Sequence, residues 1–342
     1  MANRGRLIVM IVVSIAILFL ASGLPFTANG SQNSCQNNPG GYVKYTLDLV
    51  NNTLINGNFV NTGNGLGPWG IAYDPSNGYI YVADHFSDTV SVINGATNTV
   101  IANIPVGRWP VINGLASTCT RIENIFALSK PVGVAYDPSN GYIYVTDCNS
   151  GTGNSGTVSV IDGANNTVIA TIPVGICPRG VAYDPSNGYI YVTNRGSDTV
   201  SVINGTTVIA NITVGLRPVG VAYDPSNGYI YVTNHFSDTV SVIDGANNTV
   251  IATIPVGALP WGVAYDPSNG YIYVTNFFSD TVSVIDGANN TVIANITVGL
   301  RPVWVAYDPS NGYIYVTHLY SGTVSVIDGA NNTVIANITV GI

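Results

Sequence analysis

The chain has 342 residues, of which 46% are hydrophobic and only 8% charged, and its formal net charge is −8. That balance excludes a disordered or collagen-like chain and leaves enough apolar material for a sizeable core. Nothing in so acidic a chain draws a phosphate backbone, which excludes nucleic acid as a partner.

Residues 1–30 read as a signal peptide or an N-terminal anchor. Arg4 and Arg6 precede the apolar run Leu7 to Leu20, and small residues with the helix-breaking Pro25 follow, which is the layout of an export signal. Left uncut, Leu7 to Phe26 would just reach across a hydrocarbon core, and this is the one membrane contact the sequence offers. Either outcome places the remainder in an extracellular or cell-surface setting. There, disulfides are the expected fate of Cys35, Cys119, Cys148 and Cys177, which show no C-x-x-C spacing.

From Tyr42 the chain is repetitive. The phrase "YDPSNGYIYV" begins at Tyr73, Tyr136, Tyr183, Tyr223, Tyr265 and Tyr307, at intervals of 63, 47, 40, 42 and 42 residues, a period that suits propeller blades. One unit, Pro218 to Gly257, holds four runs rich in Val, Ile, Tyr and Thr: "GVAY", "YIYVTN", "TVSVID" and "TVIATI". "DPSNG" and "DGANN" supply the Asx bonds, preset proline φ and positive-φ residues of tight turns, so neighbouring runs pair antiparallel. "YIYV" leaves no polar face for water, so both faces of each sheet need a neighbour, as in a ring of blades.

The segment Tyr42 to Gly63 lies over the second half of a unit. The expected fold is therefore an all-β propeller of four-stranded antiparallel blades, seven-bladed with an incomplete N-terminal two-strand blade, or alternatively six full blades with a hairpin beside them. In domain terms 31–342 is one propeller: 31–63 the N-terminal segment and half blade, 64–342 six full repeats, with an insertion at 108–130. An incomplete blade offers an edge for self-association.

The phrases "YVTN" (Tyr191, Tyr231, Tyr273), "TVSVIDG" (Thr239, Thr281, Thr323) and "P-x-G-V-A-Y-D-P" resemble the YVTN family of β-propeller repeats, known from archaeal surface-layer and other cell-surface proteins. The resemblance implies a seven-bladed propeller outside the cell acting as scaffold or binding module, and it brings no catalytic set with it.

Strand direction alternates, so the joins sort onto two ends. The "DPSNG" and "DGANN" turns, nearly the same in every copy, share one end. The joins between second and third runs, and the connectors between units, share the other and differ from copy to copy, as a recognition surface must. Arg108, Arg121, Lys130, Arg179, Arg195, Arg217 and Arg301 all fall on this variable end, and Trp69, Trp109, Trp261 and Trp304 lie in or beside its connectors. Trp and Arg are the usual anchors of recognition surfaces, so the candidate binding residues are Trp69, Trp109, Arg179, Arg195, His235, Trp261 and Trp304, facing a cell-surface protein or a glycan. A plug of tryptophans at the channel mouth is the plainer alternative.

Two long intervals enlarge the same end and carry Cys119 and Cys148. The expected pairing is Cys119 with Cys148 and Cys35 with Cys177; Cys148 with Cys177 is the alternative. His85, His235 and His318 sit in separate units and are expected at the surface. Glu123, the sole glutamate, has no carboxylate partner in view for acid–base work. Aspartates at the repeated turn positions are explained by turn duty, and none forms a D-x-D-x-D-G loop; no metal or cofactor is expected. Sequons stand at Asn51, Asn165, Asn204, Asn211, Asn247, Asn289, Asn295, Asn331 and Asn337, so a glycoprotein is expected in a glycosylating host. The functional expectation is a binding or scaffolding module, with the B–C and D–A joins as interaction surface, that is not an enzyme. A secreted lyase or hydrolase with its site at the channel mouth, and a surface-assembly subunit, are the alternatives.

Overall fold

The computed structural model describes residues 68–107 (apart from 86), 130–148 and 156–340. The half blade expected over Tyr42 to Gly63, together with Cys35, Asn51, Trp109, Cys119 and Glu123, lies outside the described residues. Within them stand six four-stranded sheets, each running in chain order from an inner to an outer strand, and every pairing is antiparallel. We number these blades 1 (68–105), 2 (130–174), 3 (178–213), 4 (218–255), 5 (260–297) and 6 (302–339).

Turn chemistry accounts for the hairpins. In blade 4 the Asp224 Oδ1 accepts from the Ser226 N–H and hydroxyl at 2.8 and 2.7 Å, and Gly228 takes a φ of 74° that a side chain would resist. The Asp244 carboxylate accepts from the Ala246 N–H and the Asn247 amide, while Asn248 supplies the positive φ of 56°. The repeated phrase is thus a folding instruction.

The core lies between blades, because each sheet is apolar on both faces. Tyr231, Val240, Val242 and Ile254 of blade 4 close on Ile272, Val274 and Ile285 of blade 5, each contributing about 2 kcal/mol by burial. The middle tyrosine of "YIYV" crosses the same seam. The Tyr231 hydroxyl donates to the Asn290 Oδ1 at 2.9 Å and approaches the Gly287 carbonyl oxygen at 3.2 Å. Tyr81, Tyr144, Tyr191 and Tyr273 reach the following blade in the same way.

Inner strands succeed one another from blade 1 to blade 6, and no contact of like extent joins blade 6 to blade 1. Blade 6 shows the consequence: Ile338 is 37% exposed, where its counterparts Ile254 and Ile296 are 4% and 7%. Its leading face is not covered by another described blade.

Candidate functional site at the channel mouth

The inner strands of blades 1 to 5 carry P-x-G near their start, blade 6 having Trp304 in place of the glycine, and in all six the pairing register slips there: in blade 4 Pro218 faces Asn234, and the next matched pair is Val221 with Val232. Two residues oppose one, so a bulge re-aims the x side chain. The x residues are Trp69, Val132, Arg179, Val219, Trp261 and Val303. The glycine after x is required by close approach: a Cβ on Gly180 would lie 2.4 Å from the Val219 carbonyl oxygen, and one on Gly220 2.5 Å from that of Trp261. A threonine completes the clamp, the Thr193 hydroxyl donating to the Val219 carbonyl at 2.8 Å. These contacts draw the inner strands together and gather the x residues at one end of the channel.

A second tier comes from the joins between second and third strands: His85, Cys148, Arg195, His235, Phe277 and Leu319 stand at one equivalent position. In blades 1, 2, 4 and 5 the side chain there meets the connector entering the next blade. Nδ1 of His85 lies 3.2 Å from the Pro131 carbonyl oxygen, and Nδ1 of His235 lies 3.1 Å from that of Pro260. A carbonyl can only accept, so Nδ1 carries the proton and Nε2 keeps the lone pair.

The same neighbour relation corrects the disulfide. Cys148 is bonded to Cys177, in the connector entering blade 3, with Cα atoms 4.0 Å apart. The alternative pairing is thus the one formed, and the first-choice pairings of Cys148 with Cys119 and of Cys177 with Cys35 fail: this position faces the following blade's connector rather than its own blade's loop.

Five of the expected binding residues, Trp69, Arg179, Arg195, His235 and Trp261, come together, and His85 and Phe277 join them. The Arg179 guanidinium carbon lies 5.4 Å from the Trp69 ring centroid, reaching from blade 3 to blade 1, and His85 lies against Trp69 at 5.0 Å. Across the mouth His235 meets the edge of Trp261 at 4.9 Å, and Phe277 lies 6.0 Å from Trp261. Arg195 is close enough to Arg179 and His235 for its charge to act on both. Trp304 does not join them. It occupies the glycine slot rather than the x slot, and makes no ring contact with the mouth residues among the described residues. The histidines are not surface groups: His85, His235 and His318 are only 8%, 5% and 2% exposed. His318 stands one position earlier than the other two, in the slot of Asn194, Asn234 and Asn276.

Electrostatics single out the arginines. Nε and Nη1 of Arg179, Nε of Arg195 and the Trp261 indole nitrogen are buried with no hydrogen-bond partner. Burial, and then the Arg195 charge, lower the Arg179 guanidinium to about 10. No ion pair to a carboxylate is found for either arginine among the described residues. Burial, aided by the Lys130 and Arg179 charges, pushes His85 down to about 4, and His235 is shifted downward by burial and by Arg195 and Arg179. The mouth is therefore rich in orphan donors and holds neutral imidazoles beside fixed cations. It can receive an anion, or the negative charge that develops on a carbonyl oxygen under attack. Phe277 and His85 were missed as contributors. The signal that finds them is position, since both occupy the slot the alignment of copies assigns to His235.

A family model described as lactonase, seven-bladed β-propeller, matches residues 42–213, just over half of the 342-residue chain. The chain belongs to this family. Membership overturns the expectation that the propeller is not an enzyme, because the family is described by a hydrolytic activity. Solved structures agree on the fold. A protein titled Kuenenia stuttgartiensis hydrazine synthase matches at 19% identity with a TM-score of 0.64, covering 85% of this chain and 91% of its own. A functionally unknown protein from Desulfotomaculum acetoxidans matches at 16% and 0.62, covering 81% and 88%. Dihydro-heme d1 dehydrogenase NirN, in complex with DHE, matches at 14% and 0.60, covering 80% of this chain and 56% of its own. No curated protein matches.

Proposed function

We propose that this lactonase-family propeller hydrolyses cyclic esters at its channel mouth, outside the cell. The observation that carries the reading is Arg179: a buried guanidinium against the Trp69 face, two of its nitrogens unpartnered, with Arg195 beside it. In this reading Trp69 and Trp261 hold the ring, and the guanidinium groups stabilise the oxyanion as water adds to the ester carbonyl. His235, neutral with its lone pair on Nε2, takes the proton of that water. The carbon–oxygen bond of the ring then breaks, and the proton passes to the departing alkoxide, leaving a hydroxy acid. The export signal and the YVTN-like phrases support a place at the cell surface.

The test is pH-stat titration of γ-butyrolactone, δ-valerolactone and aromatic ring esters at fixed pH. Wild type is expected to open at least one of them above the buffer rate, with Arg179→Gln slower by about a hundredfold and His235→Gln slower by a similar factor. A panel opened no faster than in buffer overturns the reading.

A second role for the same end is supported by its rim. Leu216, Phe236, Phe278, Leu300 and Tyr320 are 53%, 53%, 55%, 56% and 67% exposed. The Arg217 and Arg301 guanidinium carbons lie 5.7 and 3.7 Å from the Phe236 and Phe278 centroids. Such an apolar rim with stacked cations suits contact with a cell-surface protein or glycan, so the variable end is also read as the interaction surface.

A further inference from the structure

The outer strand of every blade is an open edge free of charged residues, with an exposed isoleucine midway: Ile101, Ile169, Ile209, Ile251, Ile293 and Ile335. Such an edge templates pairing with another chain unless something blocks it. Position decides what blocks it here. The N–H groups of Val106, Val214, Val256, Val298 and Val340 bond inward, to the carbonyl oxygen of the residue just before the third strand, so the residue before each directs its backbone N–H outward. That residue is Pro105 in blade 1 and Pro255 in blade 4. Pro173 of blade 2 holds the same register, paired with Thr157 as Pro105 is with Thr89. A proline at this point removes the exposed donor. In blades 3, 5 and 6 it is Thr213, Thr297 and Thr339, and there alone the strand reads Asn-Ile-Thr.

We propose that Asn211, Asn295 and Asn337 carry N-linked glycans that close the edges proline does not. The proposal rests on the export reading and is independent of the hydrolase reading. All three asparagines are exposed, and each has its amide held one way round. Oδ1 accepts from the hydroxyl of Ser201, Ser283 or Ser325 at 2.7, 2.8 and 2.6 Å, and Nδ2, the atom a glycan would occupy, makes no hydrogen bond among the described residues. The turn sequons differ: Nδ2 of Asn247 and of Asn289 donates to the preceding aspartate at 2.6 Å. Asn103 is the built-in control, since it is exposed and bonded to Ser91 at 2.8 Å in the same manner but is followed by Ile-Pro and forms no acceptor.

The full chain is secreted from a glycosylating eukaryotic host beside a control glycoprotein, then released with N-glycosidase in heavy-oxygen water and mapped by mass spectrometry. Label is expected at Asn211, Asn295 and Asn337 and not at Asn103. The three sites unlabelled while the control is labelled overturns the proposal. The Thr213→Ala/Thr297→Ala/Thr339→Ala variant should lose the label, and its weight-average mass in sedimentation should rise about twofold with concentration as the bared edges pair. The matching Thr→Pro triple variant should lose the label and sediment as wild type does. An alanine variant that also sediments as wild type overturns the edge-closing role.

Discussion

Asp84 and Asp147 stand where blades 3, 4 and 5 place Asn194, Asn234 and Asn276. All five are fully buried, and the aspartates accept from serine hydroxyls, Ser91 to Asp84 and Ser159 to Asp147, at 2.7 Å each. Burial raises the two carboxyls from 3.8 to about 6 and about 7, so the folded chain holds these protons more tightly than the unfolded one. The stability they contribute is whole below about pH 4 and is lost as pH rises through 6 and 7. For Asp84 the loss amounts to about 3 kcal/mol. Asp84→Asn is therefore expected to raise the unfolding free energy at pH 8 by up to that amount and to leave it unchanged at pH 3.5, as denaturant titrations at the two pH values will show. His318 runs the other way. Burial lowers it from 6.5 to about 4, so its contribution is present above pH 6.5 and is lost as pH falls toward 4. The two trends oppose each other between pH 4 and 6, which is why the single variant, rather than the whole profile, isolates Asp84.

Within a blade, the inner strand does the most to build the mouth. A methyl group on Gly180 would meet a backbone oxygen that cannot give way, so Gly180→Ala should cost about 3 kcal/mol in thermal unfolding and pull the x residues of blades 3 and 4 apart. The tyrosine seam is less demanding. Tyr191→Phe leaves the Asn248 Oδ1 without its donor at 2.8 Å and should cost about 1–2 kcal/mol in the same assay. The strands and their turns were legible in the sequence, because Asp, Pro, Asn and Gly each act on the backbone within a few residues. What lies between blades was not. That the His85 position faces the next connector is a relation across the seam, and it decides both the disulfide and the company of the histidines. Trp304 was misplaced for a plainer reason: counting from Pro302 puts Val303 in the x slot and the tryptophan in the glycine's, a distinction that matters only once the bulge and the clamp are seen.

On the scale of the molecule, one end repeats and the other differs. Turn for turn, the Asp-rich end bonds blade to blade, as Asn227 does to the Gly287 carbonyl oxygen at 3.0 Å, and so is bound to sameness. The opposite end holds the exposed rim, the arginines whose buried nitrogens lack hydrogen-bond partners, and the one disulfide among the described residues. Cys148 to Cys177 closes a loop with a sequence separation of 29, and the Cys148→Ser/Cys177→Ser variant should lose about 3 kcal/mol in denaturant titration. The chemistry of this end depends on the mouth receiving an anion at Arg179. Calorimetric titration with δ-hydroxyvalerate, the acid released from the simplest six-membered lactone, addresses that directly. The dissociation constant is expected to be at least about tenfold weaker in Arg179→Gln, the effect of losing a charged hydrogen bond, and unchanged in Asn227→Asp at the opposite end. Equal affinity in wild type and Arg179→Gln would contradict that role.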